Sequence, residues 1–220
     1  TTSTKKHIPV TEDMLQSIRR AGMQQVRGIA DFDLPAEFFE KEILMFGSST
    51  NLKEVNGHLE GEISGISASQ IPFWFEGFYR PGKEISSIDD WDVRVEELAK
   101  ESAKWDIGAI SGIPSWIELM LKRVIKFNNA ETIHDVWPNL KVYTSGGVAF
   151  EPYKKAFEKL CGKDLIIIDT YLASEGYIAT QIRRDTDAMA LITNNGIYFE
   201  FVTNSVIENN TSVNNLRYGL

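Results

Sequence analysis

The chain has 220 residues, 43% of them hydrophobic and 25% charged, which is ordinary for a globular protein and allows one sizeable core or two small ones. Its net charge of −8 argues against nucleic acid or an anionic membrane surface as the main partner. Its single cysteine, Cys161, excludes an intramolecular disulfide framework. No apolar stretch approaches the roughly 18–20 residues of a membrane span and no signal peptide opens the chain, so a reducing, cytoplasmic setting is expected.

Thr1-Thr2-Ser3-Thr4 opens without Met, as if something upstream had been removed. Thr11 can cap a helix with Glu12 and Asp13 in its first turn and Met14, Leu15 and Ile18 on its apolar face, while Gly22 and Gly28 blur its far end. Phe38 to Phe46 mixes helix and strand signals, and Gly47 to Asn51 reads as a loop. From Gly61 to Gly82 the chain is rich in small and aromatic residues together: Gly65, Ser67, Ala68 and Ser69, then Phe73, Trp74, Phe75, Phe78 and Tyr79. Such a mix can line an apolar pocket, although a core cluster is the simpler reading for most of these rings.

From Ser87 a helix is expected, with Ile88, Trp91, Val95, Leu98 and Ser102 on one side and charges on the other; Asp89-Asp90 reads as its cap. Ile107 to Ser111 predicts a strand, turned by Ser111-Gly112-Ile113-Pro114 into an apolar helix to Phe127. Leu140 to Tyr143 predicts another strand, breaking into Ser145-Gly146-Gly147. A helix comes next, with Pro152 at its start, Tyr153, Ala156, Phe157 and Leu160 on its stripe, and Gly162 at its stop. Leu165 to Ile168 reads as a fully buried strand running into Ala173-Ser174-Glu175-Gly176.

The pattern is β-α-β, and three strand-to-Ser/Gly-loop-to-helix passages along one rim predict a continuous cleft at the carboxyl ends of parallel strands, where α/β sheets bind ligands. Met189 to Thr193 and Ile197 to Val202 flank Asn194-Asn195-Gly196 and predict a hairpin, followed by a polar tail, Asn204 to Asn215. The expected fold is one α/β domain over residues 1–220: a largely parallel sheet flanked by helices, with a C-terminal β-hairpin.

His7, His58 and His134 lack metal-site spacing, and no Gly-x-Ser-x-Gly elbow occurs; Cys161, at a helix end, reads as core rather than nucleophile. Gly146-Gly147 leaves backbone NH groups uncovered, although turn geometry alone would explain the pair. Ser174 and Glu175 put a hydroxyl beside a carboxylate at a strand end, where the alternative is a solvated loop acid. Together the two loops suit a nucleotide with a metal ion.

Several stretches resemble the auxin-responsive acyl-acid amido synthetases, a branch of the adenylate-forming superfamily. They are Gly65-Ile-Ser-Ala-Ser-Gln-Ile-Pro-Phe-Trp-Phe75 with Phe78-Tyr-Arg-Pro-Gly82, Ser111-Gly-Ile-Pro-Ser-Trp116, and Trp137-Pro-Asn-Leu140 followed by Gly146-Gly147. Tyr171-Leu-Ala-Ser-Glu175 is similar to the superfamily's Tyr-x-x-Ser/Thr-Glu nucleotide motif. Lys6-His-Ile-Pro-Val-Thr11 resembles the segment immediately after the family's phosphate loop, with Thr1, Thr2 and Ser3 as the remnant of that loop.

The resemblance implies part of the large domain of an adenylate-forming enzyme that uses ATP and Mg²⁺. It implies that Ser145, Gly146, Gly147 and Val148 border the adenine, that Tyr171 stacks on it beside Thr170 and Ala173, and that Ser174 approaches the phosphates. Glu175 would help hold Mg²⁺, while Ser67, Phe75, Ser111, Ile113 and Trp116 would shape the acid pocket. The implied reaction joins a small carboxylic acid to an amine or amino acid through an acyl-adenylate. The first half of the phosphate loop, the ribose-binding aspartate (Leu216-Arg-Tyr218 resembles only its start) and the C-terminal lid domain have no counterpart in the sequence. The chain is therefore expected to be the central part of a larger enzyme and inactive alone. Two alternatives stay open: a thiol acceptor, as in acyl-CoA ligases, and a non-catalytic binding domain that keeps the fold.

Overall fold

The computed structural model describes residues 7–203. Thr11 caps α1 (Glu12–Ile29), its hydroxyl accepting from the Met14 amide at 3.2 Å. Gly22 and Gly28 both lie inside this helix, because Leu15, Ser17, Ile18 and Ala21 form a buried stripe that tertiary packing holds helical. The mixed signals of the next stretch resolve into a 3₁₀ turn, Ala36–Glu40, and then β1 (Glu42–Phe46).

β2 (Lys53–Val55) and β3 (His58–Glu60) form a separate antiparallel hairpin. Its turn is Asn56-Gly57, with φ of 51° and 78°, the left-handed pair that a type I′ turn requires. Next come α2 (Ile63–Ser69), a 3₁₀ turn at Phe73–Phe75, β4 (Tyr79–Arg80) and α3 (Lys83–Ser86). Ser87 does not begin the long helix. It closes α3, and α4 (Trp91–Glu101) starts afresh because the Asp90 carboxylate accepts from the Val93 amide at 2.9 Å. β5 (Ile107–Gly112), α5 (Pro114–Phe127), α6 (Ile133–Val136), β6 (Val142–Ser145), α7 (Lys154–Leu160), β7 (Ile166–Ala173), β8 (Gly176–Thr180) and β9 (Ala190–Leu191) complete the described chain.

The main sheet runs β4-β1-β5-β6-β7-β8-β9. Its first five strands are parallel and the last two pairings, β7–β8 and β8–β9, are antiparallel, so β8 alone runs against the others and the sheet is largely parallel with helices on both faces. On one face α4, α5 and α7 bury Val95, Leu98, Ile117, Leu121 and Phe157 against Leu44, Ile110 and Tyr143. There Tyr143, Phe150 and Phe157 pack ring to ring at 4.9–5.4 Å, and the buried Trp137 indole donates to the Ser102 carbonyl at 2.9 Å. The other face packs Ala109, Val142 and Ile168 under Ile29, and Tyr177 and Ile192 under Ile18 and Ala21.

Four further expectations need correction. The strand read as fully buried is buried only at Ile168; Ile166 and Ile167 are half-buried, because β7 is the outermost parallel strand and α7 beside it has only 7 residues. Ala173 to Gly176 does not lead into a helix. Ala173 pairs with Gly176, Ser174 and Glu175 form the tight turn between them, and β8 returns antiparallel. The hairpin expected at 189–193 and 197–202 does not form. Ala190–Leu191 pairs with β8 instead, and Ile197 to Val202 forms no strand. Its intended turn residue is committed elsewhere: Asn195 Nδ2 donates to the Tyr177 carbonyl at 2.6 Å, its Oδ1 accepts from the Ile197 amide at 3.0 Å, and its own carbonyl accepts from Ser17. Pro152 falls in a 3₁₀ turn, Glu151–Tyr153, one turn before α7.

Candidate functional site

Parallel pairing sets the register Phe46, Gly112, Ser145, Asp169 across β1, β5, β6 and β7, so these residues line up near the carboxyl rim of the sheet. The segments after them, 113–114, 146–148 and 170–175, leave from that same rim. β7 runs on past its pairing with β6, so the Ser174-Glu175 turn projects about four residues beyond it, on the order of 13 Å at strand rise.

The centre of the rim is close-packed backbone. A Cβ on Gly146 would stand 3.0 Å from Thr170 Oγ1, and that hydroxyl donates to the Ser145 carbonyl at 2.8 Å. Gly147 has φ +82°, and a Cβ there would meet Ile113 Cγ1 at 3.3 Å. Ile113, Gly146, Gly147 and Thr170 are thus brought together, with Gly147 and Val148 exposed. Tyr171 is 51% exposed, leaving its ring open to solvent. Ser174 and Glu175 are exposed at the turn tip and Ala173 is half-buried.

Other indicated residues sit apart or inward. Ser145 is fully buried, and its hydroxyl lies near both Tyr143 and Asp169 without completing a hydrogen bond of good geometry to either. Ser111 pairs with Thr144 within the sheet. Trp116 packs on the Trp91 ring at 5.0 Å, at the edge of the core. Ser67 lies in α2, which docks on the loop after β1: the Ser48 amide donates to Ser64 Oγ at 3.1 Å, and a Cβ on Gly65 would stand 2.2 Å from the Ser49 carbonyl. Phe75 is at the other end of the sheet, since β4 runs parallel to β1 and the chain entering it lies at the amino rim. Thr1, Thr2 and Ser3 lie outside the described residues.

Sequence reasoning missed the residues that brace this rim. Gln25 of α1 donates to Thr144 Oγ1 at 3.1 Å and accepts from the Tyr177 hydroxyl at 2.8 Å, tying helix, β6 and β8 together. Asp169 is half-buried beside Ser145, and burial, with a smaller push from Asp187, raises its pKa. The signal for Asp169 was there: a lone carboxylate closing the run Ile166-Ile167-Ile168. Cys161 is half-buried at the end of α7 and burial pushes its thiol up to about 11, so it is no thiolate at neutral pH.

Among the described residues no group of three His, Cys, Asp or Glu side chains could hold a metal, and no helix is long and apolar enough to cross a membrane. Glu175 nonetheless suits Mg²⁺, which needs only one or two protein carboxylates when phosphates and waters complete its shell. A wider open groove of about 490 Å³ runs between α1 and β9, past Gln24, Arg27, Thr180 and Asn194; none of the indicated residues lines it.

The structure is thus that of an α/β protein, a largely parallel sheet flanked by helices, with the indicated loops gathered at the carboxyl ends of its parallel strands. Residues 83–166, less than half the chain, match the family model described as GH3 family N-terminal domain. Among solved structures, the chain is similar to an open conformation of 2-hydroxyisobutyryl-CoA ligase in complex with 2-HIB-AMP and CoA. That likeness has a TM-score of 0.45 and 10% identity, covering 80% of this chain and 36% of that one. This chain therefore spans little more than a third of the ligase's length. Comparison with curated proteins finds no match.

Proposed function

We propose that the chain is part of the large domain of an adenylate-forming ligase, one that activates a small carboxylic acid with ATP and passes the acyl group to an amine such as an amino acid. The observation that carries this reading is the convergence of Ile113, Gly146-Gly147 and Thr170 on the carboxyl rim. The match to the GH3 family N-terminal domain supports it, because residues 83–166 include the stretches Ser111 to Trp116, Trp137 to Leu140 and Gly146-Gly147.

In this reading the exposed backbone at Gly147 and Val148 borders the base, and the open Tyr171 ring offers it a stacking face. Ser174 and Glu175, at the projecting turn, meet the phosphates. A carboxylate attacking the α-phosphorus brings two anions together, so holding them in line and neutralising their charge contribute more than proton transfer. Mg²⁺, when bound through Glu175, supplies part of that neutralisation. The Gln25 side chain, bonded to Thr144 and Tyr177, keeps this part of the rim in place.

The experiment is pyrophosphate release by the longer enzyme of which this chain is proposed to be part, with a panel of carboxylic acids, comparing Glu175 with Glu175→Gln. The exposed turn tolerates the change, so folding survives. Adenylation is expected to slow by about 10²-fold, equivalent to roughly 2.7 kcal/mol, with partial recovery in excess Mg²⁺. Activity within about twofold and an unchanged metal dependence would remove Glu175 from the site. No pyrophosphate release with any acid would remove the reading itself.

A further inference from the structure

Arg94 is the group the proposed function leaves unused. It sits in the first turns of α4, is only 5% exposed, and makes no side-chain hydrogen bond or ion pair with any described residue. Its Nε is sealed without an acceptor. Its guanidinium lies over the Phe46 ring at 5.4 Å and the Trp91 ring at 5.6 Å. An arginine cannot shed its proton inside a protein, and the faces of two rings compensate only part of the lost hydration. Other partly buried arginines here have carboxylates: Arg80 pairs with Glu42, and Arg123 with Glu96. Asp89, whose charge acts on Arg94, forms no ion pair with it and accepts instead from the Asn51 side-chain amide at 2.9 Å.

The surroundings favour a ligand over a missing internal partner. Phe46 ends β1 and aligns with Gly112 and hence Ser145, so Arg94 stands at the carboxyl rim, about two strand spacings, or ~10 Å, from the 146–148 loop. An open groove of about 390 Å³ runs between α2 and α3, past Thr50, Ser69, Tyr79 and Ser86; Arg94 is not among the residues that line it, and Tyr79 is the wall residue its charge reaches. Tyr79 and Ser86 join hydroxyls at 2.7 Å in its wall, and the Arg94 charge is near enough to act on Tyr79. Lys83, which lines the groove, is held by Glu76 at 2.6 Å. With Glu84 and Asp89 nearby, the Arg94 charge suits a monoanion, and a planar guanidinium edge matches a carboxylate in two parallel hydrogen bonds.

We infer that Arg94, lying over the adjoining Phe46 and Trp91 rings at the rim, binds the carboxylate of a small monocarboxylic acid that enters by the groove between α2 and α3. This deepens the proposed function by naming the residue that reads the acid's charge. It rests on that reading only for the acid's being a substrate.

Binding is therefore measured without nucleotide, by calorimetry on the 220-residue chain. The probes are aliphatic and aromatic monocarboxylates, including hexanoate and benzoate, with benzamide and inorganic phosphate alongside. The expected result is saturable binding of at least one carboxylate and none of benzamide or phosphate. Arg94→Met should weaken it tenfold or more. Arg94→Lys, which keeps the charge but not the paired geometry and guards against a misfolded Met variant, should weaken it severalfold. The inference is overturned if no carboxylate saturates the wild-type chain, if phosphate binds as well, or if Arg94→Lys or Arg94→Met binds as tightly as wild type. Carboxylate binding here without pyrophosphate release by the longer enzyme would keep this site and sink the activation reading. Release unchanged by Arg94→Met would do the reverse.

Discussion

His134 shows how much one buried side chain can report. It is 6% exposed, Gly162 donates its amide to Nδ1 at 3.1 Å, and Nε2 faces the Leu140 carbonyl at 3.0 Å. A nitrogen that accepts from an amide carries no proton, so the ring is neutral with its hydrogen on Nε2, donating to Leu140. Burial lowers its pKa below the ordinary 6.5, the Leu140 bond opposes that, and Lys163 adds to it. Below about pH 6.5 the unfolded chain therefore takes up a proton that the folded one resists. Stability is full above that pH and falls as pH drops from there towards the folded value. Asp106 and Asp135, whose pKa values are lowered by hydrogen bonds from Asn139 and from the Thr132 amide, lose their contribution only at lower pH. Urea denaturation between about pH 7.5 and pH 5 should show a falling midpoint for the wild type and a flat one for His134→Gln. Equal slopes for both would put the proton uptake on another group.

At the scale of elements, the Asn195 clamp decides between two structures that the sequence allows. Its side chain, only 7% exposed, bridges the Tyr177 carbonyl of β8 and the Ile197 amide. Asn195→Ala leaves both backbone groups without that partner and should cost about 1–3 kcal/mol in chemical denaturation. A change below about 0.5 kcal/mol would mean that something else keeps Ile197 to Val202 out of the sheet. The same element shows where sequence reading works and where it stops. β5, α5, β6 and β7 were legible because Ile107 to Ile110, Ile117 to Val124 and Ile166 to Ile168 carry local periodicity that packing only reinforces. Asn-Gly at 195–196 read as a hairpin turn, yet its side chain was needed for a contact with residue 177 that no local pattern reveals. The true Asn-Gly turn, at 56–57, was overlooked between short, charged strands with little periodicity. In the candidate site, Gly146-Gly147 was legible as a small-residue break at a strand end, whereas Tyr171 was indicated only by the resemblance. Gln25 was not, because its role depends on α1 crossing over β6 and β8.

The whole molecule places two distinct features on one rim: the backbone centre at Gly146, Gly147 and Thr170, and the unpaired Arg94 beside β1. Both lie where parallel strands end, the position at which α/β sheets bind ligands, and the order β4-β1-β5-β6-β7 sets them side by side. For ATP, however, the described rim is thin. It offers exposed backbone at Gly147 and Val148, one open ring at Tyr171 and one exposed carboxylate at Glu175, with no set of three metal-binding side chains among the described residues. Three phosphates need more positive charge and more donors than these groups supply. The 220-residue chain alone should therefore bind MgATP no more tightly than about millimolar, worth roughly 4 kcal/mol. Titration calorimetry of the chain with MgATP measures this directly. A micromolar dissociation constant would show that residues 1–220 carry a whole nucleotide site, and the proposal that the site is shared with a longer polypeptide would then have to be given up.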